Sequence, residues 1–134
     1  MKFPGIKAKL PTLSNSLLAC FSAILLILAF PDFEFWFLAY IALIPLLFAI
    51  EREKESFVKS FLGGWIFGTV FFTGTVWWLT FAPITYGGVP AVLAYFLLLG
   101  VTIIAGLFPA LFAGLLSIAL RRFGSYGIFA APFI

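Results

Sequence analysis

Apolar residues run along this chain in long blocks, and the short polar breaks between them decide how it is divided. After a polar start with Pro4, Gly5 and Pro11, the first block is apolar from Leu17 to Phe30 and stops at Pro31. A second runs from about Phe33 to Ile50, with Pro45 inside it, and stops at Glu51-Arg52-Glu53-Lys54-Glu55. From Ser60 to Leu120 no residue is charged. A hydrocarbon layer of about 30 Å takes about 20 helical residues, so that stretch holds more than one crossing. The break falls at Thr80–Pro90, where Gly87-Gly88 lies between Pro83 and Pro90, a pattern that turns the chain. The pattern predicts spans at about 14–30, 33–50, 61–79 and 91–120, with a fifth starting from 124. The fourth is longer than one crossing needs, so it tilts, projects or bends at Pro109.

Helices rather than a barrel are expected, because the runs are continuously apolar instead of alternating. The predicted fold is an all-α polytopic membrane protein, a single transmembrane domain over residues 1–134. Composition agrees: 64% of residues are hydrophobic and 10% charged, against about 25% charged in ordinary soluble domains.

The eight basic residues fix an orientation. Lys2, Lys7 and Lys9 precede span one, Arg52, Lys54 and Lys59 separate spans two and three, and Arg121 and Arg122 follow span four. With four crossings all of them fall on one side, and the other side carries only Asp32 and Glu34. The positive-inside rule places the N-terminus in the cytoplasm. Basic residues so scattered make no nucleic-acid groove, and no nucleic-acid partner is expected.

Candidate chemistry is sparse. One cysteine and no histidine exclude a disulfide framework and a Cys/His zinc site within one chain. Leu17-Leu18-Ala19-Cys20 imitates a lipoprotein cleavage box, but its hydrophobic stretch follows the cysteine instead of preceding it, so Cys20 reads as a small packing residue. A secretory signal is disfavoured because no small-residue cleavage site follows the first block. Asp32 and Glu34 could act as paired carboxylates, although a solvated turn accounts for them. The Glu51–Lys59 cluster likewise reads as a solvated loop. Gly64-x-x-x-Gly68 and Gly106-x-x-x-Ala110-x-x-x-Gly114 put small residues on helix faces for close packing. Phe33, Phe35, Trp36 and Phe37 at one turn, and Trp77, Trp78, Phe81 and Tyr86 at another, read as an aromatic belt or as a lateral doorway for acyl chains.

Several motifs together resemble a known family. Phe30-Pro31-Asp32-Phe33-Glu34-Phe35-Trp36, Leu38-Ala39 and Ile41-Ala42-Leu43-Ile44-Pro45-Leu46-Leu47 resemble the first outer turn and second span of apolipoprotein N-acyltransferases. Gly63-Gly64-Trp65-Ile66-Phe67-Gly68, Phe71-Phe72, Gly74 and Val76-Trp77-Trp78 are similar to the third span of that family. Tyr86-Gly87-Gly88-Val89-Pro90 resembles its outer loop, Phe108-Pro109-Ala110-Leu111 its fourth span, and Ala130-Ala131-Pro132 the start of its fifth. The resemblance covers nearly the whole chain in order.

It implies the N-terminal transmembrane domain of a multi-pass enzyme of the bacterial inner membrane, with a nitrilase-like domain on the periplasmic side. Such enzymes move an acyl chain from a membrane phospholipid to the free amine of a diacylglyceryl-cysteine on an apolipoprotein, through a thioester on a Glu-Lys-Cys triad. That triad belongs to the nitrilase-like domain, and Cys20 matches no catalytic position. No catalytic, cofactor-binding or metal residue is therefore carried over, and no cofactor is expected. The resemblance implies a chain truncated before its catalytic domain and inactive alone. A non-catalytic assembly subunit and a small four-helix transporter are the alternatives. A transporter would want an intramembrane charge or polar stripe, and the chain offers scattered threonines such as Thr69, Thr73, Thr75 and Thr102.

Overall fold

The computed structural model describes residues 10–30 and 35–133. Asp32 and Glu34, with Lys2, Lys7 and Lys9, lie outside the described residues. Within them the chain is helical, with no strand among the described residues. The α-helices are α1 (Leu13–Leu28), α2 (Ala39–Ala42), α3 (Ile44–Arg52), α4 (Phe57–Thr75), α5 (Phe81–Thr85), α6 (Ala91–Ala105) and α7 (Leu107–Phe123). Short 3-10 turns cover Trp36–Leu38, Trp77–Thr80 and Gly124–Phe133.

Local chemistry explains the boundaries. Ser56, in extended conformation, caps α4, its hydroxyl accepting the Lys59 N–H at 3.4 Å. This cap starts the helix at Phe57, earlier than the apolar block suggests, and the helix ends at Thr75 instead of 79. The Trp77-Trp78 pair then winds as a separate 3-10 turn. The expected second span is not one helix. Leu43 interrupts it, and Pro45 sits in the first turn of α3, where its missing N–H costs nothing but its ring excludes a continuous helix from α2. The fourth span breaks for one residue at Gly106. The Pro109 ring opposes the carbonyl four residues back, that of Ala105, so the break falls where the proline demands it. Arg121 and Arg122 occupy the last turn of α7, a favourable place for cations at a helix C-terminus. Gly124, with φ of +61°, then reverses the chain. Past this reversal the described residues, Gly124–Phe133, wind as 3-10 turns that pack back on α7.

Among the described residues two helices are long and apolar enough to cross a membrane: α4, with 19 residues, and the rod from Ala91 to Phe123, with 33. The first helix is apolar but has 16 residues, roughly 24 Å at 1.5 Å per residue.

Contacts set the helix directions. Gly64 of α4 lies against Pro109 and Ala113, and Gly68 against Gly106 and Pro109, so α4 and α7 run antiparallel. Thr12 is bonded to Glu53, just before α4, and Ile27 meets Gly74 near its far end, so α1 and α4 run parallel. Phe57 meets Gly114, which brings the C-terminal part of α7 to the end where α4 begins. The described charged residues therefore gather at one end of the bundle.

Alanines hold about half of the buried apolar positions, while many large apolar side chains stand outside. Ala19, Ala23, Ala42, Ala110 and Ala113 are fully buried, with Leu46, Ile50, Phe67, Leu116 and Leu120 completing the core. Leu13, Tyr40, Val92, Phe96 and Phe108 stand two-thirds or more exposed. The distribution suits close helix packing by small side chains in a hydrocarbon solvent, where large apolar groups gain nothing by turning inward.

Candidate functional site

The α4–α7 seam organises the molecule. An added Cβ on Gly64 would stand 2.5 Å from the Pro109 carbonyl oxygen and 2.6 Å from the Ala113 Cβ. One on Gly68 would stand 2.8 Å from Pro109 Cγ and 2.9 Å from Gly106 Cα. The small-residue faces read from the sequence thus lie against each other. Gly114 receives the Phe57 ring instead of a backbone.

Polar groups in the charge-free stretch are satisfied within the bundle. The Trp65 indole N–H donates to the Ile103 carbonyl at 2.8 Å, tying α4 to α6. Thr73 Oγ1 lies 2.7 Å from the Thr69 carbonyl and 3.0 Å from Thr102 Oγ1, and Thr102 Oγ1 lies 3.0 Å from the Leu99 carbonyl. Each hydroxyl has one proton, so one consistent arrangement sends Thr73 to Thr102 and Thr102 on to Leu99. The Ser22 hydroxyl donates to the Ala42 carbonyl, linking α1 to α2. The Thr73, Thr75 and Thr102 hydroxyls therefore bond to carbonyls or to one another within the bundle.

At the end away from the charges, the chain forms an apolar groove of about 290 Å³ between the 80–83 turn and α6. Leu79, Pro83, Ala94, Leu98 and Val101 line it, with Thr80, whose hydroxyl is already committed to the Trp77 carbonyl at 2.8 Å. Nothing polar in the groove is left to anchor a headgroup, so it suits an alkyl chain. Its floor is made by α6, which Pro90 opens and the positive φ of Gly88 aims. The aromatic side chains singled out in the sequence do not line the groove. Trp77, Trp78, Phe81 and Tyr86 are exposed around it, with Phe81 and Tyr86 edge-to-face at 6.1 Å. Trp36 packs the same way on Tyr40 at 6.4 Å, both exposed. Exposed amphipathic rings at one end suit a headgroup-level belt, and the groove is lined by their smaller neighbours.

The opposite end holds what sequence reasoning missed. The Glu51–Lys59 cluster is not simply a solvated loop, because Glu53 is buried. Its Oε1 accepts the Thr12 backbone N–H at 2.7 Å and the Thr12 hydroxyl at 2.8 Å. Thr12 is the N-cap of α1 and makes no side-chain cap of its own, so the carboxylate from the distant loop satisfies an orphan donor there and faces the positive helix end. No local pattern signals this pairing across 41 residues. Cys20 is half-buried in α1, far along the sequence from any described charge. Among the described residues no three of His, Cys, Asp and Glu come together.

An all-helical bundle that holds, among the described residues, two helices fit to cross a membrane and an apolar groove has the form of a membrane-helix module. The family described as the apolipoprotein N-acyltransferase N-terminal domain matches residues 22–134, and the chain belongs to that family. It is 34% identical over 100 residues to an apolipoprotein N-acyltransferase of Pasteurella multocida, covering 74% of this chain and 19% of that protein. The enzymes of that name from Geobacter metallireducens and Haemophilus influenzae are also 34% identical, over 97 and 96 residues, each covering 72% of this chain and 18% of theirs. The chain thus spans about a fifth of the length of these relatives. No solved structure matches it.

Proposed function

We propose that this chain is the membrane-embedded part of an apolipoprotein N-acyltransferase, and that it supplies the apolar platform from which a phospholipid acyl chain is presented to a catalytic domain outside these residues. The family match over residues 22–134 carries the reading. The groove beside the exposed Trp77–Tyr86 aromatics supports it, since a groove without free polar groups takes an alkyl chain and leaves the headgroup at the rim. In this reading residues 1–134 form one N-terminal transmembrane domain of the bacterial inner membrane, crossing four times from a cytoplasmic N-terminus and starting a fifth segment from 124. The charged end, including Arg52, Lys54, Lys59, Arg121 and Arg122, faces the cytoplasm in keeping with the positive-inside rule, and the Thr80–Pro90 loop faces the periplasm. The apolipoprotein meets the periplasmic domain, not this bundle.

The chain alone transfers no acyl group in this account. Acyl transfer through a covalent intermediate needs a nucleophile activated by a base within about 3 Å. The one thiol, Cys20, lies in α1, and the chain has no histidine. The purified chain, reconstituted in phospholipid vesicles with a diacylated lipopeptide, should yield no triacylated product by mass spectrometry. A product that exceeds a protein-free control and disappears on a substitution in this chain would overturn the assignment. In the same vesicles, a phospholipid with a photoreactive acyl chain should label Leu98 and Val101 in the groove above Leu111 and Leu115, which are exposed on α7. Equal labelling of both sets would remove the groove from the account.

A further inference from the structure

At the charged end a second cavity, of about 430 Å³, lies between the start of α1 and the α3–α4 connection, within the size range of small-molecule sites. Its wall carries both signs of charge: Arg52 and Lys59 against Glu53 and Glu55, with Asn15 and Ser56 between them. Asn15 is only 6% exposed, and its Oδ1 accepts no hydrogen bond among the described residues. It lines this cavity and also a small separate pocket beside Ser60 and Gly63. A buried acceptor without a donor is costly, and each such group in a folded protein calls for a partner. Glu53 Oε1 already accepts two bonds from Thr12, so it is held in place and its negative charge remains at the cavity wall.

An anion alone would meet two carboxylates here, and a cation alone two basic groups. A ligand carrying both signs matches the wall. We propose that this cavity binds a zwitterionic phospho-amine headgroup: the phosphate against Arg52 and Lys59, and a primary ammonium against Asn15 Oδ1 and the Glu53 and Glu55 carboxylates. The site lies at the end opposite the acyl-chain groove and has no part in the transfer reaction. It rests on the membrane placement proposed above, not on the acyltransferase assignment, so a failure of either is read separately.

The ammonium donor distinguishes the ligand. A primary ammonium donates hydrogen bonds, and the quaternary ammonium of choline donates none. The full chain is exchanged into nanodiscs of equimolar phosphatidylethanolamine and phosphatidylcholine with matched acyl chains, released into mild detergent, and its retained lipid counted by native mass spectrometry. The chain should retain the ethanolamine lipid roughly tenfold over the choline lipid, the ratio expected for one charge-assisted hydrogen bond. Asn15→Leu should abolish the preference, whereas Asn15→Asp, which keeps an accepting oxygen, should preserve it. Lys59→Gln should lower retention of both lipids, and circular dichroism checks that each variant is folded. Excess soluble phosphoethanolamine identifies the source: displacement of bound lipid assigns the site to the free phosphoester, and no displacement assigns it to the lipid. Equal retention of the two lipids by the parent chain would overturn the proposal. So would a preference that survives Asn15→Leu, the result expected if an ordered water satisfies the amide.

Discussion

Gly63 and Gly64 are neighbours in α4, yet a methyl group added to each meets opposite surroundings. At Gly64 it would press on the Pro109 carbonyl oxygen, the Ala113 Cβ and the Ala110 Cα, which stands at 3.0 Å; at Gly63 nothing lies within 4 Å. Two of the three atoms at Gly64 are backbone, so relief requires the helices to separate instead of a side chain rotating. Overpacking of this kind costs about 1–3 kcal/mol. Replacing glycine by alanine inside a helix also contributes up to about 1 kcal/mol of stability through propensity, at both positions alike. Gly63→Ala should therefore be neutral or slightly stabilising, and Gly64→Ala should fall below it by about 1–3 kcal/mol, because propensity cancels in the comparison. Reversible unfolding in mixed detergent micelles with increasing dodecyl sulfate, followed by circular dichroism, measures the difference. If Gly64→Ala is as stable as Gly63→Ala, the α4–α7 seam is not the close contact described.

Three further outcomes are expected. In a Cys20→Ala background, a single cysteine at Gly88 should react with an impermeant thiol reagent on intact cells and one at Lys54 should not; the reverse pattern refutes the proposed orientation. Thr73→Val combined with Thr102→Val should show a coupling of about 0.6 kcal/mol in a double-mutant cycle, typical of hydrogen bonds between membrane helices; strict additivity would mean that the two hydroxyls do not interact. Trp65→Phe should destabilise the bundle by about 1 kcal/mol through the unpaired Ile103 carbonyl, measured by the same unfolding assay, and an unchanged midpoint would exclude that bond.

The division into apolar blocks was legible because a helix in hydrocarbon must satisfy its own backbone, leaving few places to break. Pro31, Pro45, Pro90 and Pro109 mark such places, and the interruptions at Leu43 and Gly106 trace to two of them. The close faces at Gly64, Gly68, Gly106 and Ala110 were legible for a related reason, since only small residues let backbones approach. The ends of α4 were not, because they depend on the Ser56 cap and on the Val76 backbone, at φ −110° and ψ 18°. Nor was the Glu53 bond to Thr12, which needs the parallel placement of α1 and α4 before the two residues can meet. The groove was half-legible. Its aromatics drew notice by their bulk, but its lining comes from the smaller residues between them and from a helix face that carries no signature of its own.

The interruption at Gly106 gives the long rod two different relations to its partner. Below it, α7 follows α4 in the most extensive helix contact of the molecule, while above it α6 keeps a looser one. The two helices thus fork, and besides the groove near Pro83 the fork leaves an apolar recess of about 340 Å³ walled by Trp65, Thr69 and Ile103. In a bilayer a fork does not stay empty. Tails beside it would fill the crotch as structural material supplied by the membrane, and their length and unsaturation would bear on how far the upper arm leans. Bilayer composition would then tune the geometry of this chain as a core substitution tunes that of a water-soluble protein.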